Sequence, residues 1–439
     1  MRYGLDALTQ KYGSGLLGIV GNAGWLFFER ALRMVLGFSV GIWVARYLGP
    51  GQFGLLSYSI AFVDLFGAIA ALGLDSLVVR DLVRDPSRKY EILGTTFALK
   101  ALGGLTAVLM VLGAVLLLNP DDSLIRWLVA ILAVGAVFRA FDTIDFWFQS
   151  RVRSKYAVIA RSTAVLLVAA LRVGLIWLEA PLIAFAWASL AEALLVALGL
   201  ALVYRHDGQH LLVWRVGVGR GKALLSQSWP LILSGLAVLV YMRIDQIMLR
   251  EMVGDQAVGV YSAALRISEA WYIIPVAVVS SVFPSIIRAK ETSESLYYRR
   301  LEQLFGFMAG IGIAIALPMT FLSGPLVLLL FGERYQAAGS ILAIHIWAAI
   351  FVFYGVVQSS WFINEGLTRL SLTRTAAGAL VNVALNLVLI PAYGGVGAAI
   401  ATVISYAIAA FLMNVISART RRIFYLQVRS FLFFRYLYP

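Results

Sequence analysis

Eight charged residues interrupt long apolar stretches of the chain, where a charge is costly. The basic members are Arg30, Arg33, Arg243 and Arg266, and the acidic members are Glu29, Asp64, Asp245 and Glu269. Charges at such positions usually line a pathway rather than face lipid. A guanidinium is permanently charged, and its fork binds phosphate through two hydrogen bonds. The arginines therefore predict a cavity that binds an anionic, phosphate-bearing group.

The spacing of the first three charges predicts which of them pair. Glu29 and Arg33 are four residues apart, so they share one face of a helix, with the acid on the favourable N-terminal side. Arg30 points about 100° away from Arg33. We therefore expect Glu29 and Arg33 to pair, and Arg30 to have no partner on its own helix.

The charges in the second half of the chain follow a different spacing. Arg243 and Asp245 are two residues apart and cannot face each other, so their partners must lie on other helices or on a ligand. Arg266 and Glu269 are three apart and can pair. All four acids among the eight charges have two open roles: they neutralise the arginines in the empty state, or they titrate as proton-coupling carboxylates.

A secondary group of charges lies nearer the cytoplasmic ends of the predicted helices. Arg139, Asp142 and Asp145 share one face of a helix. Further charges within apolar segments are Lys100, Arg161, Arg172 and Glu192. Pairing that serves only assembly is the alternative explanation for this group, because long side chains can reach the interface.

These charges must be positioned by membrane helices. Of the 439 residues, 61% are hydrophobic and 13% charged, which excludes a soluble globular fold. About 20 apolar residues span a bilayer as a helix. The chain is predicted to be an all-α polytopic membrane protein with a central polar cavity and about twelve transmembrane helices. We place these at 16–46, 53–74, 92–118, 124–148, 157–178, 182–204, 225–249, 258–287, 303–331, 339–363, 372–391 and 395–417.

The net charge of +13 follows the membrane topology rather than a nucleic-acid partner. Nearly all of the basic excess lies in the termini and the even-numbered loops. By the positive-inside rule, this places both termini in the cytoplasm of a multi-pass protein. No loop is long enough to fold as an independent domain.

An internal repeat relates the two halves of the chain at an offset of 205 residues. Gly49-x4-Gly54-x2-Ser57, followed by Asp64, aligns with Gly254-x4-Gly259-x2-Ser262, followed by Glu269. The offset equals six predicted spans, so we expect two six-helix lobes related by a parallel repeat, which is a recurrent transporter plan. The predicted domains are an N-terminal lobe at 1–210, a C-terminal lobe at 211–418 and a basic-aromatic cytoplasmic tail at 419–439, which we expect to lie on the lipid surface.

Several motifs resemble those of bacterial oligosaccharide flippases of the Wzx type. The matching residues are Asn22-x2-Trp25-Leu-Phe, Ala45-Arg-Tyr-Leu-Gly-Pro50, Phe53-Gly54, Phe146-Trp-Phe-Gln149 and Tyr156-x4-Arg161. This family belongs to the multidrug/oligosaccharidyl-lipid/polysaccharide exporter superfamily. The chain departs from the family pattern at Ser150, where a glycine is usual, and at Asp145-Phe146, where a proline usually precedes the tryptophan.

The resemblance implies a protein of the bacterial inner membrane that acts in surface polysaccharide biosynthesis, such as O-antigen of lipopolysaccharide. It would move polyprenyl-diphosphate-linked oligosaccharide repeat units from the cytoplasmic to the periplasmic leaflet by alternating access between two lobes. Its partners would be that substrate, membrane lipids and a polysaccharide polymerase, and a monomer is the simplest expectation. No cofactor, metal or nucleic acid is expected.

Two alternatives belong to the same superfamily. A lipid II flippase usually carries two extra helices, for which this chain has no room. A cation-coupled multidrug exporter would be expected to have an acidic, aromatic cavity, whereas the charges here are balanced or basic. A scaffold role would not account for unpaired arginines deep in the bilayer.

A membrane-embedded glycosyl or acyl transfer enzyme is the alternative from another class. Histidine is scarce, and His206 and His210 provide only two potential metal ligands. His345 lies alone within a span, where we expect a hydrogen-bonded core residue rather than a base. No phosphate loop or Ser-His-Asp arrangement occurs. The chain is therefore predicted to be a transporter and not an enzyme.

Overall fold

A computed structural model describes residues 2–430 of the chain, with side chains from Gly21 onward. Within this range, the regular elements are helices and no strand occurs. The predicted all-α, multi-pass membrane fold is confirmed. The α-helices of the described part are α1 (Arg2–Leu65), α2 (Gly67–Ala71), α3 (Asp75–Arg84), α4 (Lys89–Leu118), α5 (Ser123–Phe138), α6 (Asp142–Ser150), α7 (Lys155–Trp177), α8 (Leu182–His206), α9 (Val218–Met252), α10 (Asp255–Glu269), α11 (Ile273–Thr292), α12 (Glu294–Phe331), α13 (Ala338–His345), α14 (Ala348–Asn364), α15 (Thr368–Ala410) and α16 (Ala418–Ser430).

Nine helices of the described part are long and apolar enough to cross a membrane. A tenth span is obtained if α13 and α14, which are bent by 41° relative to each other, count as one. Helices α1 and α15 each contain one predicted span and most of the next, because the turns between those spans are very short. These turns lie at Gly49, with φ +72°, and at Gly394, where the backbone leaves helical geometry. The predicted number of twelve spans stays a prediction.

Contacts divide the described chain into two compact units. The first, which we call the N-unit, comprises residues 1–41 and 62–236. The second, the C-unit, comprises residues 42–61 and 237–439. The predicted lobes at 1–210 and 211–418 were derived from the number of spans, and they stay a prediction.

The glycines of the internal repeat meet within the C-unit. A Cβ atom on Gly54 would lie 1.8 Å from the backbone oxygen of Asp255, and a Cβ atom on Gly259 would lie 1.9 Å from that of Pro50. Each second glycine of the motif thus contacts the turn of the other copy. No larger residue fits either position, so this close backbone approach gives the repeated spacing a physical reason.

The C-terminal helix α16 packs within the C-unit, mainly against α12. Ile423, Leu426 and Gln427 of α16 are buried, and Ser430 is hydrogen-bonded to Tyr354 of α14 at 2.6 Å. The predicted contact of this tail with lipid stays a prediction, and its residues 431–439 lie outside the described residues.

Candidate functional site

Arg33 of the N-unit lies between two carboxylates. Its Nη2 atom is 3.4 Å from Oε1 of Glu29, and its Nη1 atom is 3.1 Å from Oε1 of Glu192 on α8. The pairing of Glu29 with Arg33, predicted from their spacing, is confirmed. The Arg33 side chain remains 44% exposed, so it is accessible to a ligand that competes with the acids.

The ion pairs of Arg33 continue to a second arginine. The other oxygen of Glu192 is 3.3 Å from Nη2 of Arg172 on α7, which also donates a hydrogen bond of 3.1 Å to Ser189. Acidic and basic side chains alternate along this series of ion pairs, so their charges compensate each other. Arg30 is exposed and makes no ion pair or hydrogen bond with any residue in the described range.

A second network in the N-unit contains the acids of the secondary group. Asp142 and Asp145 lie 2.8 Å and 3.0 Å from the two terminal nitrogens of Arg161 on α7. Lys100, which is 2% exposed, lies 3.9 Å from Asp142. Arg139 is not part of this network: it lies in a short turn between α5 and α6, and its side chain is 3.9 Å from Asp64.

The two predicted arginines of the C-unit lie near an acid and near an aromatic ring, respectively. Arg243 on α9 lies 3.8 Å from Glu269 on α10. The guanidinium of Arg266 lies 5.5 Å from the centre of the Phe53 ring, within the range of a cation–π interaction. The prediction that Arg243 finds its partner on another helix is confirmed.

Asp245 is the most enclosed of the eight predicted charges, with 3% of its surface exposed. Its Oδ1 atom accepts a hydrogen bond of 2.6 Å from Asn386 on α15. Its Oδ2 atom accepts one of 2.8 Å from Tyr261 on α10, and another from Thr402 on α15. As predicted, the partners of Asp245 lie on other helices.

The neighbours of Asp245 are all neutral. No basic side chain of the described residues lies within 4 Å of this carboxylate, and two amide atoms beside it, Nδ2 of Asn382 and Oδ1 of Asn386, are buried without a hydrogen-bond partner. Rotation of these amides would present oxygens in place of N–H groups. A carboxylate with amide and hydroxyl oxygens around it suits a hard cation or a proton.

The other candidate metal ligands of the described residues do not form a cluster. Among the described residues, no group of three or more His, Cys, Asp or Glu side chains is placed to hold a metal ion. His345 is 3% exposed, and its Nδ1 atom lies 2.9 Å from the Ser268 hydroxyl. The expectation of a hydrogen-bonded core histidine is confirmed.

One buried charge was missed from the sequence. Arg374 on α15 is 7% exposed and donates hydrogen bonds to Gln358 and, at 3.1 Å, to Ser359, both on α14. It lies in the third position of the predicted span 372–391, where a side chain can reach the interface. Its span contains no acid, so Arg374 has no acidic partner on its own helix, and this feature of the sequence could have marked it as a candidate.

The family of the chain follows from comparison with known proteins. A family model described as "Polysaccharide biosynthesis protein" matches residues 19–290, more than half of the chain. The chain belongs to this family. The matched range includes all eight charged residues predicted to be functional, and a second model, MatE, matches residues 230–388.

A relative of the chain comes from Haloferax volcanii. It is described as "Probable flippase AglR" and is 24% identical to this chain over 398 residues. The aligned region covers 88% of this chain and 80% of the relative. The similarity thus extends well beyond the N-terminal motifs.

Solved structures match this member of the polysaccharide biosynthesis family over nearly its whole length. An inward closed form of the lipid II flippase MurJ has a TM-score of 0.70 at 15% identity, and covers 95% of this chain and 92% of that one. An inward-facing multidrug resistance MATE transporter of the MOP superfamily has a TM-score of 0.67 at 16% identity, with coverages of 92% and 96%. The chain therefore has the fold of MOP-superfamily transporters.

Proposed function

We propose that this protein is a flippase that moves polyprenyl-diphosphate-linked oligosaccharide repeat units from the cytoplasmic to the periplasmic leaflet by alternating access. The observation that carries the proposal is the family match over residues 19–290. The relative described as a probable flippase supports the reaction class. Charged side chains along helices of both units are consistent with a polar sugar as cargo.

The arginines are assigned to the anionic part of the substrate. Arg33 is half exposed and already held by Glu29 and Glu192, so a diphosphate group would displace a carboxylate from it. Arg30, Arg243 and Arg266 are assigned the same role in substrate binding. In the empty protein, Glu29 neutralises Arg33, Glu269 neutralises Arg243, and Asp64 neutralises Arg139. Arg139, Asp142 and Asp145 serve mainly to hold the N-unit together.

Asp245 is assigned to coupling. Its carboxylate is buried among neutral donors, and it has no basic partner in the described range. A bound proton or small cation would therefore neutralise a charge that no other side chain neutralises, which is not the case for a paired acid. Binding and release of that ion would bias the two states of the transport cycle.

We further propose that the protein lies in the bacterial inner membrane with both termini in the cytoplasm. It would act as a monomer in surface polysaccharide synthesis, such as that of O-antigen, and pass its product to a polysaccharide polymerase.

Replacement of Arg33 or Arg266 by alanine tests this assignment in the native host. Each change should abolish surface polysaccharide and cause lipid-linked repeat units to accumulate in the cytoplasmic leaflet, because the diphosphate loses a bidentate partner. The matched control is Arg369→Ala, at an exposed arginine near the start of α15, which should leave polymer levels unchanged. Normal polymer in both arginine variants at wild-type protein levels would contradict the proposal.

A cation-coupled drug exporter is the second candidate. The MatE model matches residues 230–388, and this range contains the unpaired carboxylate of Asp245, which suits a cationic substrate. Efflux of a cationic dye from membrane vesicles, together with normal surface polysaccharide after deletion of the gene, would favour the exporter. Rescue of a strain that lacks its peptidoglycan flippase would instead favour lipid II as the substrate.

A further inference from the structure

Arg374 carries a positive charge that no acid in the described part of the chain balances. Its contacts are the amide oxygen of Gln358, the hydroxyl of Ser359 and the face of the Phe362 ring, 4.8 Å from the guanidinium. No carboxylate of a described residue lies within 4 Å of it. Arginine stays protonated in proteins, and a buried charge without a counter-ion is unfavourable. The site therefore favours an anion.

The guanidinium has hydrogen-bond donors to offer to that anion. Of its five N–H groups, Gln358 and Ser359 take one each. The Nε atom is buried and has no hydrogen-bond partner. An unsatisfied buried donor costs free energy, and arginine N–H groups bind phosphate oxygens strongly.

Arg374 faces a cavity of about 370 Å³ inside the C-unit, large enough for part of a small molecule. The walls are mostly apolar or aromatic and include Val238, Phe351, Val356, Tyr241 and Tyr406. The last two rings stack with centroids 4.2 Å apart. One polar end in an otherwise apolar cavity fits a ligand that is itself amphiphilic, with an anionic group and an apolar chain.

A chain of hydrogen bonds holds Arg374 in place. The NH2 group of Gln358 donates to Asn414, which turns the amide oxygen of Gln358 toward the guanidinium. Asn414 donates to Gln427 of α16 at 2.9 Å, and Gln427 donates to the backbone oxygen of Ala410 at 2.9 Å. The docked C-terminal helix thus fixes the arginine before a ligand arrives, which lowers the entropic cost of binding.

We propose that this cavity, which we call the Arg374 pocket, binds a phosphate ester of an apolar chain. The phosphate contacts the guanidinium of Arg374, and the chain lies against the aromatic wall formed by Tyr241 and Tyr406. Two sources share this chemistry: the polyprenyl part of the carried substrate, in which case the inference rests on the proposed function, and a phospholipid of the bilayer, in which case it does not.

The test is lipid binding to the purified full-length protein, followed by native mass spectrometry in a non-ionic detergent. The probes are polyprenyl phosphate, phosphatidic acid, a polyprenyl alcohol without phosphate, and inorganic diphosphate. The variants are Arg374→Gln and, as matched control, Arg369→Gln at the exposed arginine of the same helix. Loss of the guanidinium should weaken binding of phosphate lipid at least tenfold, which corresponds to about 1.4 kcal/mol.

A third variant keeps Arg374 and fills the pocket. Gly355 lines the cavity, and a Cβ atom there would meet only the Cβ of Ala410, at 4.0 Å. Gly355→Leu should therefore fold and lose the lipid while the guanidinium remains. This variant keeps the test decisive if Arg374→Gln fails to fold.

The outcomes separate the two sources. Preference for polyprenyl phosphate supports the carried lipid, and equal or better binding of phosphatidic acid supports a resident phospholipid. Equal affinities in Arg374→Gln, Gly355→Leu and Arg369→Gln would overturn the proposal, as would inorganic diphosphate or the alcohol binding as tightly as the phosphate lipids. Since no translocation is measured, failure of this binding leaves the flippase proposal standing, and a failure to flip leaves the binding result standing.

Discussion

The two units differ in whether their buried charges are compensated by ion pairs. In the N-unit, Arg33, Arg161 and Arg172 each contact at least one carboxylate from another helix. In the C-unit, Asp245 and Arg374 are 3% and 7% exposed, and neither has an oppositely charged side chain within 4 Å among the described residues. The N-unit compensates these charges internally, whereas the C-unit leaves one charge of each sign to be compensated by something else.

This difference suggests different roles for residues that are similar in sequence. Two buried charges that form an ion pair compensate each other without a ligand. If one of them is removed, the other remains as an uncompensated buried charge, which destabilises the fold. An unpaired buried charge already destabilises the folded protein, so its removal should not lower the stability of the fold. The removal should, however, impair any function that depends on binding an ion.

The largest expected effect on stability is at Arg161. The change Arg161→Met would leave Asp142 and Asp145 without their main partner, and Asp145 is only 2% exposed. We expect the free energy of unfolding to fall by about 3–5 kcal/mol, as is usual when one member of a buried pair is removed. Thermal unfolding of the purified protein checks this, and an unchanged midpoint would show that the pair does not hold the N-unit together.

The change Asp245→Asn should not lower the stability of the fold. Asparagine has the same shape and can keep hydrogen bonds with Tyr261 and Thr402, while the uncompensated charge is removed. We expect an unchanged or higher unfolding midpoint together with loss of transport. The matched control is Asp145→Asn, the same substitution in a paired carboxylate, which should lower the midpoint. A similar loss of stability in both variants would remove the contrast between the units.

A smaller effect is expected at Glu365, between α14 and α15. Burial alone would raise the pKa of this carboxyl, but hydrogen bonds from Lys290, at 2.7 Å, and Tyr297, at 2.9 Å, outweigh burial and lower the pKa. A lowered pKa means that the carboxylate stabilises the fold at neutral pH, and that this contribution is lost as the pH falls through the lowered pKa.

The change Glu365→Gln should therefore reduce stability at neutral pH and make no difference in acid. The effect should be at most about 1 kcal/mol, because Lys290 is 42% exposed and the pair is screened by solvent. Unfolding midpoints of both proteins across the acidic range measure it. A gap that persists at low pH would assign the stabilisation to something other than the charge of Glu365.

The sequence predicted the features that depend on local spacing. Apolar length predicted the helices, and the four-residue spacing of Glu29 and Arg33 predicted their ion pair. The two-residue spacing of Arg243 and Asp245 predicted only that their partners lie elsewhere. Those partners could not be named from the sequence, because Asn386 and Thr402 are 141 and 157 residues away from Asp245.

The same reason explains why Arg374 was missed. Its neighbours Gln358 and Ser359 are uncharged and lie on another helix, so no local pattern marks them. Its position near the start of a predicted span resembles that of an arginine that reaches the interface. Burial, which sets it apart from the exposed Arg369 five residues earlier, depends on the packing of α14, α15 and α16, which the sequence pattern does not encode.

Flipping of a fluorescent polyprenyl-diphosphate oligosaccharide in proteoliposomes tests directly whether the unpaired carboxylate of Asp245 is needed for transport. We would compare the wild-type protein with Asp245→Asn, and use Arg369→Gln as the control. We expect the wild type and the control to move the lipid to the opposite leaflet. Asp245→Asn, although as stable as the wild type, should not move it. No flipping by the wild type, or equal flipping by Asp245→Asn, would contradict this expectation.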